Sequence, residues 1–221
     1  MATFYNPTLV VDGCVFAIDA ANSKSYSGSG LTVNGLVGGI GGTLVNGVGF
    51  TSSNNGSFIF DGTNDWIDVP SNSSFAFNNF TMSAWFKSSD KSRYNDIISR
   101  YSLGIVKVLF YSEITNGRLT FEVGSDRLVD TSSDIVNGFW NYVTARRSSG
   151  NLEVFINGIR SNFIVSTSNG FIDADRWRIG TSNAVADFAN CNIAQIQIYN
   201  RALSATEILQ NFNALRGRYG V

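Results

Sequence analysis

The chain has 221 residues and no histidine; the length suits one large β domain or two small ones, and the missing imidazole excludes Ser-His-Asp and Cys-His nucleophile systems and the usual zinc site. With 16 Lys+Arg against 17 Asp+Glu the formal charge is −1, and no run of like charge occurs, so neither nucleic acid nor an anionic membrane surface is an expected partner. The chain carries 27 Ser, 24 Asn and 22 Gly beside 13% aromatic residues, a mixture of turn formers and strand formers that points to many short strands rather than disorder.

In chain order, the apolar stretch 9–18 is broken by Asp12 and Gly13, and the first basic residue is Lys24. It reads as a strand, not a signal peptide. The Gly-rich stretch 28–49 reads as a mobile or hairpin-rich surface loop; Gly38-Gly39-Ile40-Gly41-Gly42 lacks the Lys-Ser/Thr of a phosphate-binding loop. In Thr81-Met82-Ser83-Ala84-Trp85-Phe86-Lys87 the residues Met82, Ala84 and Phe86 share one face and Trp85 lies on the other, which predicts that both faces are covered. Leu119, Phe121 and Val123 share a face, as do Leu152, Val154 and Ile156. The strongest hairpin signal is 139–145, a turn at Ser148-Ser149-Gly150-Asn151, then 152–156 and a second turn at Asn157-Gly158. Trp177 and Ile179 share a face, and Ile196 and Ile198 oppose Gln195, Gln197 and Tyr199. Asn-Gly pairs at 34–35, 46–47, 55–56, 116–117, 137–138, 157–158 and 169–170 punctuate these runs, because both residues tolerate the positive φ of tight turns.

About a dozen strands follow, too many for one small open sheet, so two packed antiparallel sheets are predicted. One helix is specified, over about 204–216. Ser204-Ala205-Thr206-Glu207 is a capping box, Ile208, Phe212 and Leu215 recur at helical spacing, and Gly217 supplies a stop. No linker divides the chain, so residues 1–221 are expected to form a single domain. No stretch of 18 apolar residues occurs, so no helical membrane span is predicted. Cys14 and Cys191 read as buried thiols, with a disulfide between terminal strands as the alternative.

Three segments resemble a known family. Phe60-Asp61-Gly62-Thr63-Asn64-Asp65-Trp66-Ile67-Asp68-Val69-Pro70 with Phe80-Thr81-Met82-Ser83-Ala84-Trp85-Phe86 resembles the early core strands of laminin-G-like domains of the concanavalin A-like lectin/glucanase superfamily. Trp140-Asn141-Tyr142-Val143-Thr144 with Leu152-Glu153-Val154-Phe155-Ile156-Asn157-Gly158 resembles their central hairpin, and 193–207 their closing strand and C-terminal helix. The resemblance implies an all-β, two-sheet antiparallel jelly-roll sandwich with one short C-terminal helix, its first strand near 14–19 pairing with its last near 193–199. Ile18-Asp19-Ala20-Ala21-Asn22 and Tyr199-Asn200-Arg201-Ala202-Leu203 are similar to domains in structural proteins of tailed phages. That likeness implies a virion surface protein assembled in the host cytoplasm, with other virion proteins as partners.

Glucanases of this superfamily place two glutamates on one strand about 5 Å apart. The four glutamates here, Glu113, Glu122, Glu153 and Glu207, form no such pair, and a non-enzymatic protein is expected. No cofactor is expected either; were calcium bound, Asp19 and Asp61 are the carboxylates available, though both also suit turn or cap positions. Carbohydrate recognition needs aromatic rings beside fixed polar groups, and the residues that suit it are Tyr94, Asn95, Arg100, Tyr101, Trp177, Asn183 and Asp187. Trp66, Trp85 and Trp140 are read as core or inter-sheet packing, and Trp177 as either. The expected function is structural attachment on a virion surface with weak adhesion to host-surface or environmental glycans; a free-standing lectin is the alternative. Edge strands leave room for a homo-oligomer.

Overall fold

The computed structural model describes residues 7–100, 107–168, 175–182 and 187–221. In chain order its strands are β1 (Cys14–Asp19), β2 (Thr32–Val33), β3 (Gly42–Val45), β4 (Gly49–Thr51), β5 (Ser57–Asp61), β6 (Trp66–Val69), β7 (Phe80–Lys87), β8 (Asn95–Arg100) and β9 (Val108–Ser112). They continue with β10 (Arg118–Val123), β11 (Asp126–Asp134), β12 (Asn141–Ser148), β13 (Asn151–Ile156), β14 (Ile159–Arg160), β15 (Val165–Ser166), β16 (Trp177–Ile179) and β17 (Asn190–Tyr199), followed by one helix, α1 (Ala205–Tyr219). The first sheet runs β14-β13-β12-β7-β17-β5-β4, with β1 also on β17 and β15 on β13; the second runs β11-β10-β9-β8-β16-β6-β3-β2. Every pairing is antiparallel. The strands outnumber those the alternation predicts because β2, β14 and β15 are two-residue ladders, too short to leave a period in the sequence.

The alternation sorts side chains as read. Met82, Ala84 and Phe86 of β7, Leu119, Phe121 and Val123 of β10, and Ile196 and Ile198 of β17 all enter the core between the sheets. Apart from the small Ala84, each such fully buried side chain contributes about 1.5–3 kcal/mol of hydrophobic stabilisation. The predicted terminal pairing is present, with Phe16 opposite Ile198 and Asp19 opposite Gln195. The 148–151 hairpin turns through Ser149 (φ 49°) and Gly150 (φ 79°), and the next turn through Asn157 (φ 53°) and Gly158 (φ 80°), the double positive φ of a type I′ turn. The Asn-Gly pair 169–170 lies outside the described residues. The Gly-rich stretch is not wholly a surface loop: it supplies β2 and β3 and puts Val33, Ile40 and Leu44 into the core.

One expectation is corrected and two readings are narrowed. The helix does not stop at Gly217 but runs to Tyr219, where Gly220 (φ 72°) donates its N–H to Arg216. An interior glycine costs a helix about 1 kcal/mol, and the extra turn outweighs this by extending the Ile208, Phe212, Leu215 stripe to Tyr219, a ring left only 5% exposed. Second, Trp85 and Trp140 are core residues, but of a second core under this helix on the outer face of the first sheet and not of the core between the sheets; Trp66 is only half-buried and stacks on Phe188. Third, Cys14 pairs opposite Tyr199 and Cys191 opposite Phe60, eight residues apart on β17 and so roughly 25 Å apart at ~3.3 Å per residue. Both thiols are free, as first read, Cys191 buried and Cys14 half-buried; the disulfide alternative falls, since it needs Cα atoms within about 7 Å.

Candidate functional site

The helix closes the outer face of the first sheet. The outer face of the second sheet is polar, and strand register builds it. Since Phe110 and Phe121 face each other in the core, their neighbours point outward. Asp96, Tyr111 and Thr120 thus line up across β8, β9 and β10. One residue pair further along, Thr43, Asp68, Arg178, Ser99, Leu109, Glu122 and Arg127 form a row across six strands plus β11.

Within this face the groups at β8–β11 hold one another in place. The Tyr111 hydroxyl donates to Glu122 Oε1 at 2.6 Å and accepts from Arg127 Nε at 3.2 Å. Lys107 Nζ lies 2.7 Å from Glu122 Oε2, and Arg127 Nε lies 3.3 Å from Oε1. Arg127 also pairs with Glu113, which accepts from the Thr120 hydroxyl at 2.7 Å. Tyr94 sets its ring edge-on to Tyr111, with centroids 5.7 Å apart. Burial raises the Tyr111 phenol above its ordinary value, and the bond to Glu122 adds to this. Asp96 is 3% exposed. Burial, then the neighbouring carboxylates of Asp187 and Glu122, push its carboxyl well above the usual carboxylate range.

The sequence-predicted residues divide. Tyr94, 38% exposed, and the exposed Asp187 belong to this face. Asn95 is buried and structural: its amide donates to Asp90 O at 2.8 Å and Ser112 Oγ at 3.2 Å, and its oxygen accepts from Asn190 N at 2.9 Å. Arg100 is buried opposite the core residue Val108. Trp177 is wholly buried between the sheets, against Phe75 and Phe77, so its ring is packing and not a platform. Tyr101 and Asn183 lie outside the described residues. Sequence reasoning placed Glu122 on the polar side of a strand but missed Asp96, Lys107, Tyr111, Glu113 and Arg127, which only strand register brings together.

The carboxylates considered for calcium are engaged within the chain. Asp19 takes both oxygens to Arg218 Nη1 at 2.9 Å, and Asp61 accepts from Thr63 N at 2.7 Å as a turn residue. Among the described residues, no three acidic or cysteine side chains come close enough to hold a metal ion.

Two antiparallel sheets packed face to face, one closed by a helix and the other bearing a polar outer face, define a lectin-like β-sandwich. Residues 61–209 match a laminin-G family model described as the concanavalin A-like lectin/glucanases superfamily, and the chain belongs to that superfamily. No match was found among curated protein sequences. Among solved structures, the binding domain of Paraclostridial Mosquitocidal Protein 1 is similar at a TM-score of 0.70 and 18% identity, over 92% of this chain and 52% of that one. Trypanosoma rangeli sialidase in complex with sialic acid is similar at a TM-score of 0.74 and 14% identity, over 96% of this chain and 34% of that one. Domain 4 of AbnA, an extracellular GH43 arabinanase of Geobacillus stearothermophilus, in complex with arabinotriose, is similar at 0.68 and 16% identity, over 90% of this chain and 97% of that domain. This chain therefore spans about half the length of the first, a third of the second and nearly all of the third. At these identities the likeness is one of fold.

Proposed function

We propose that this chain is a non-catalytic carbohydrate-binding module whose ligand lies on the outer face of the second sheet, over Tyr94, Tyr111, Glu122 and Arg127. The observation that carries the reading is Tyr94, an exposed ring, beside the half-exposed guanidinium of Arg127, which the buried Tyr111 and Glu122 hold in place on rigid strands. Preorganised polar groups spare the ordering cost of binding and are suited to sugar hydroxyls, while Tyr94 offers apolar surface to a sugar ring. The arabinotriose complex of a domain with this fold supports the ligand class.

The non-catalytic part of the reading is supported by how the glutamates are used. Glu122 is engaged through both oxygens, and so is Glu153, which lies on the first sheet between Arg146 and Arg160. Neither is left with an open oxygen to attack a sugar or protonate a leaving group. The setting we propose is the surface of a tailed-phage virion, on the strength of the resemblance in 18–22 and 199–203; stoichiometric copy number on purified particles tests it. The binding reading is tested by calorimetric titration against a broad panel of oligosaccharides. Binding of at least one member, weakened tenfold or more in Tyr94→Ala with an unchanged melting temperature, is expected. No binding across the panel overturns it, and hydrolysis abolished by Glu122→Gln or Glu153→Gln overturns the non-catalytic part.

A further inference from the structure

We propose that Asn34 is a self-modification site, where the chain deamidates through a cyclic imide to aspartate and isoaspartate and so loosens the free edge of the second sheet. The imide ring closes most readily where glycine follows asparagine, because glycine puts no side chain in the way of the attacking main-chain nitrogen. Six Asn-Gly pairs lie among the described residues, and the fold separates them. Asn46, Asn55 and Asn157 are held at positive φ (59°, 66° and 53°), a left-handed conformation that turns the next N–H away from the carboxamide carbon, whereas ring closure needs an extended one. Asn116 and Asn137 are tied at both reacting groups. Asn116 Oδ1 accepts from Arg118 N at 2.9 Å while Gly117 N donates to Glu113 O at 3.1 Å. Asn137 Oδ1 accepts from Phe139 N at 2.9 Å while Gly138 N donates to Ser88 O at 2.9 Å.

Asn34 is the one that remains. It directly follows β2, is exposed and has a negative φ. Its main chain is fixed, donating to Ser25 O at 2.7 Å and accepting from the Ser25 hydroxyl at 2.8 Å. Among the described residues, neither its carboxamide nor the Gly35 N–H has a hydrogen-bond partner. An open groove borders Asn34, Gly35, Gly41 and Thr43, which gives hydroxide and water access. Hydroxide takes the Gly35 N–H proton and the nitrogen bonds to Asn34 Cγ; the Cγ–Nδ2 bond breaks, and Nδ2 leaves as ammonia with a proton from water, regenerating the hydroxide. One water then opens the ring, at Cγ to give aspartate, or at the main-chain carbonyl to give isoaspartate, whose main chain runs on through Cγ. Either product adds a carboxylate, and isoaspartate also lengthens the main chain by a methylene. The hairpin has no room for it: a Cβ at Gly41 would stand 2.2 Å from Val33 O, and one at Gly35 1.9 Å from Ile40 O. The longer main chain therefore displaces β2, the two-residue edge strand whose Val33 enters the core.

The test ages the intact chain in mildly alkaline buffer, folded and in urea, and maps the products by chymotryptic digestion and mass spectrometry. Cleavage after Leu31, Leu36, Leu44, Phe50 and Phe58 puts Asn34, Asn46 and Asn55 on separate peptides. In the folded chain Asn34 is expected to convert roughly fivefold or more faster than each of the other five pairs, the rate factor imposed by breaking one ordinary backbone hydrogen bond. Urea is expected to abolish that lead, and Asn34→Gln to remove this product without changing the others. Another of the described pairs leading in the folded chain overturns the proposal, as does product at Asn34 that forms only in urea. A lead that persists undiminished in urea overturns it too, since sequence and not fold would then select the site. The isoaspartate fraction, resolved by anion exchange, is expected to exchange the amide hydrogens of 31–45 severalfold faster than fresh chain; unchanged exchange overturns the displacement of β2.

Discussion

Tyr219 lies on Trp85 with ring centroids 4.0 Å apart and planes inclined by 22°. The last turn of α1 thereby reaches the middle strand of the first sheet, and Phe212 stacks on the same indole at 5.8 Å. Arg218 secures this end of the helix, pairing with Asp19 at the end of β1 and donating to the carbonyls of Asn54 and Gly56 at 3.0 and 3.1 Å. Truncating a buried aromatic ring costs about 3–5 kcal/mol, so Tyr219→Ala is expected to lose about 3 kcal/mol in urea unfolding and to red-shift tryptophan emission. The Tyr219 hydroxyl is buried with no hydrogen-bond partner among the described residues. Tyr219→Phe is therefore expected to be neutral or to stabilise by up to about 1 kcal/mol, and a loss as large as that of the alanine variant would contradict the packing account.

The start of the helix titrates. The Ser204 hydroxyl accepts from Glu207 N while Glu207 accepts from Ser204 N, and Arg201 donates to both Glu207 oxygens. The hydrogen bonds from Arg201 come first among the causes that lower the Glu207 carboxyl to about 2. A carboxyl lowered on folding contributes stability above its unfolded value near 4.3, and that contribution fades as the pH falls toward about 2. Glu207→Gln should thus flatten the stability profile between about pH 4.5 and 2 and cost about 1 kcal/mol at pH 7. Equal slopes for wild type and variant in acid denaturation would sink the assignment.

Much of this fold is written in the sequence, because its signals are local. The capping box at Ser204, the period-two faces of β7, β10 and β13, and the turns at Ser149-Gly150 and Asn157-Gly158 each need only a handful of neighbouring residues to be read. The helix end escaped because Gly217 is a local stop signal, whereas the contact that overrides it joins positions 85 and 219, remote in sequence. The site escaped for the same reason. Alternation alone puts Glu122 on a polar face, but the meeting of Tyr111, Glu122 and Arg127 depends on the register of β9, β10 and β11, which no single strand encodes. Trp177 shows the converse: its alternation with Ile179 was legible, and both enter the core.

Asp96 predicts a pH dependence of the opposite sign to Glu207. The groups around its carboxyl are Asp187, Glu122 from β10 and Tyr111 from β9, with Lys107, Arg127 and Glu113 bonded among themselves and to Glu122 and Tyr111. Its raised carboxyl binds a proton more tightly folded than unfolded, so its ionisation lowers stability as the pH rises above the unfolded value near 3.9. Asp96→Asn is expected to melt higher than wild type at pH 7 and to lose that advantage below about pH 4. A variant less stable than wild type at pH 7 would show that the carboxylate is instead favourably solvated or partnered.

Arg127 separates affinity from stability. Its guanidinium reaches three groups at once, Tyr111, Glu113 and Glu122, a fork that the single ammonium of lysine cannot reproduce. The side chain is 45% exposed, so the ion pairs contribute only modestly to folding, on the order of 1 kcal/mol or less. Arg127→Lys keeps the charge but releases Tyr111 and Glu122 from their fixed geometry. A tenfold loss of glycan affinity, about 1.4 kcal/mol, is expected in titration calorimetry with a melting temperature within a few degrees of wild type. Undiminished affinity in this variant would remove the Tyr111–Glu122–Arg127 group from the binding surface.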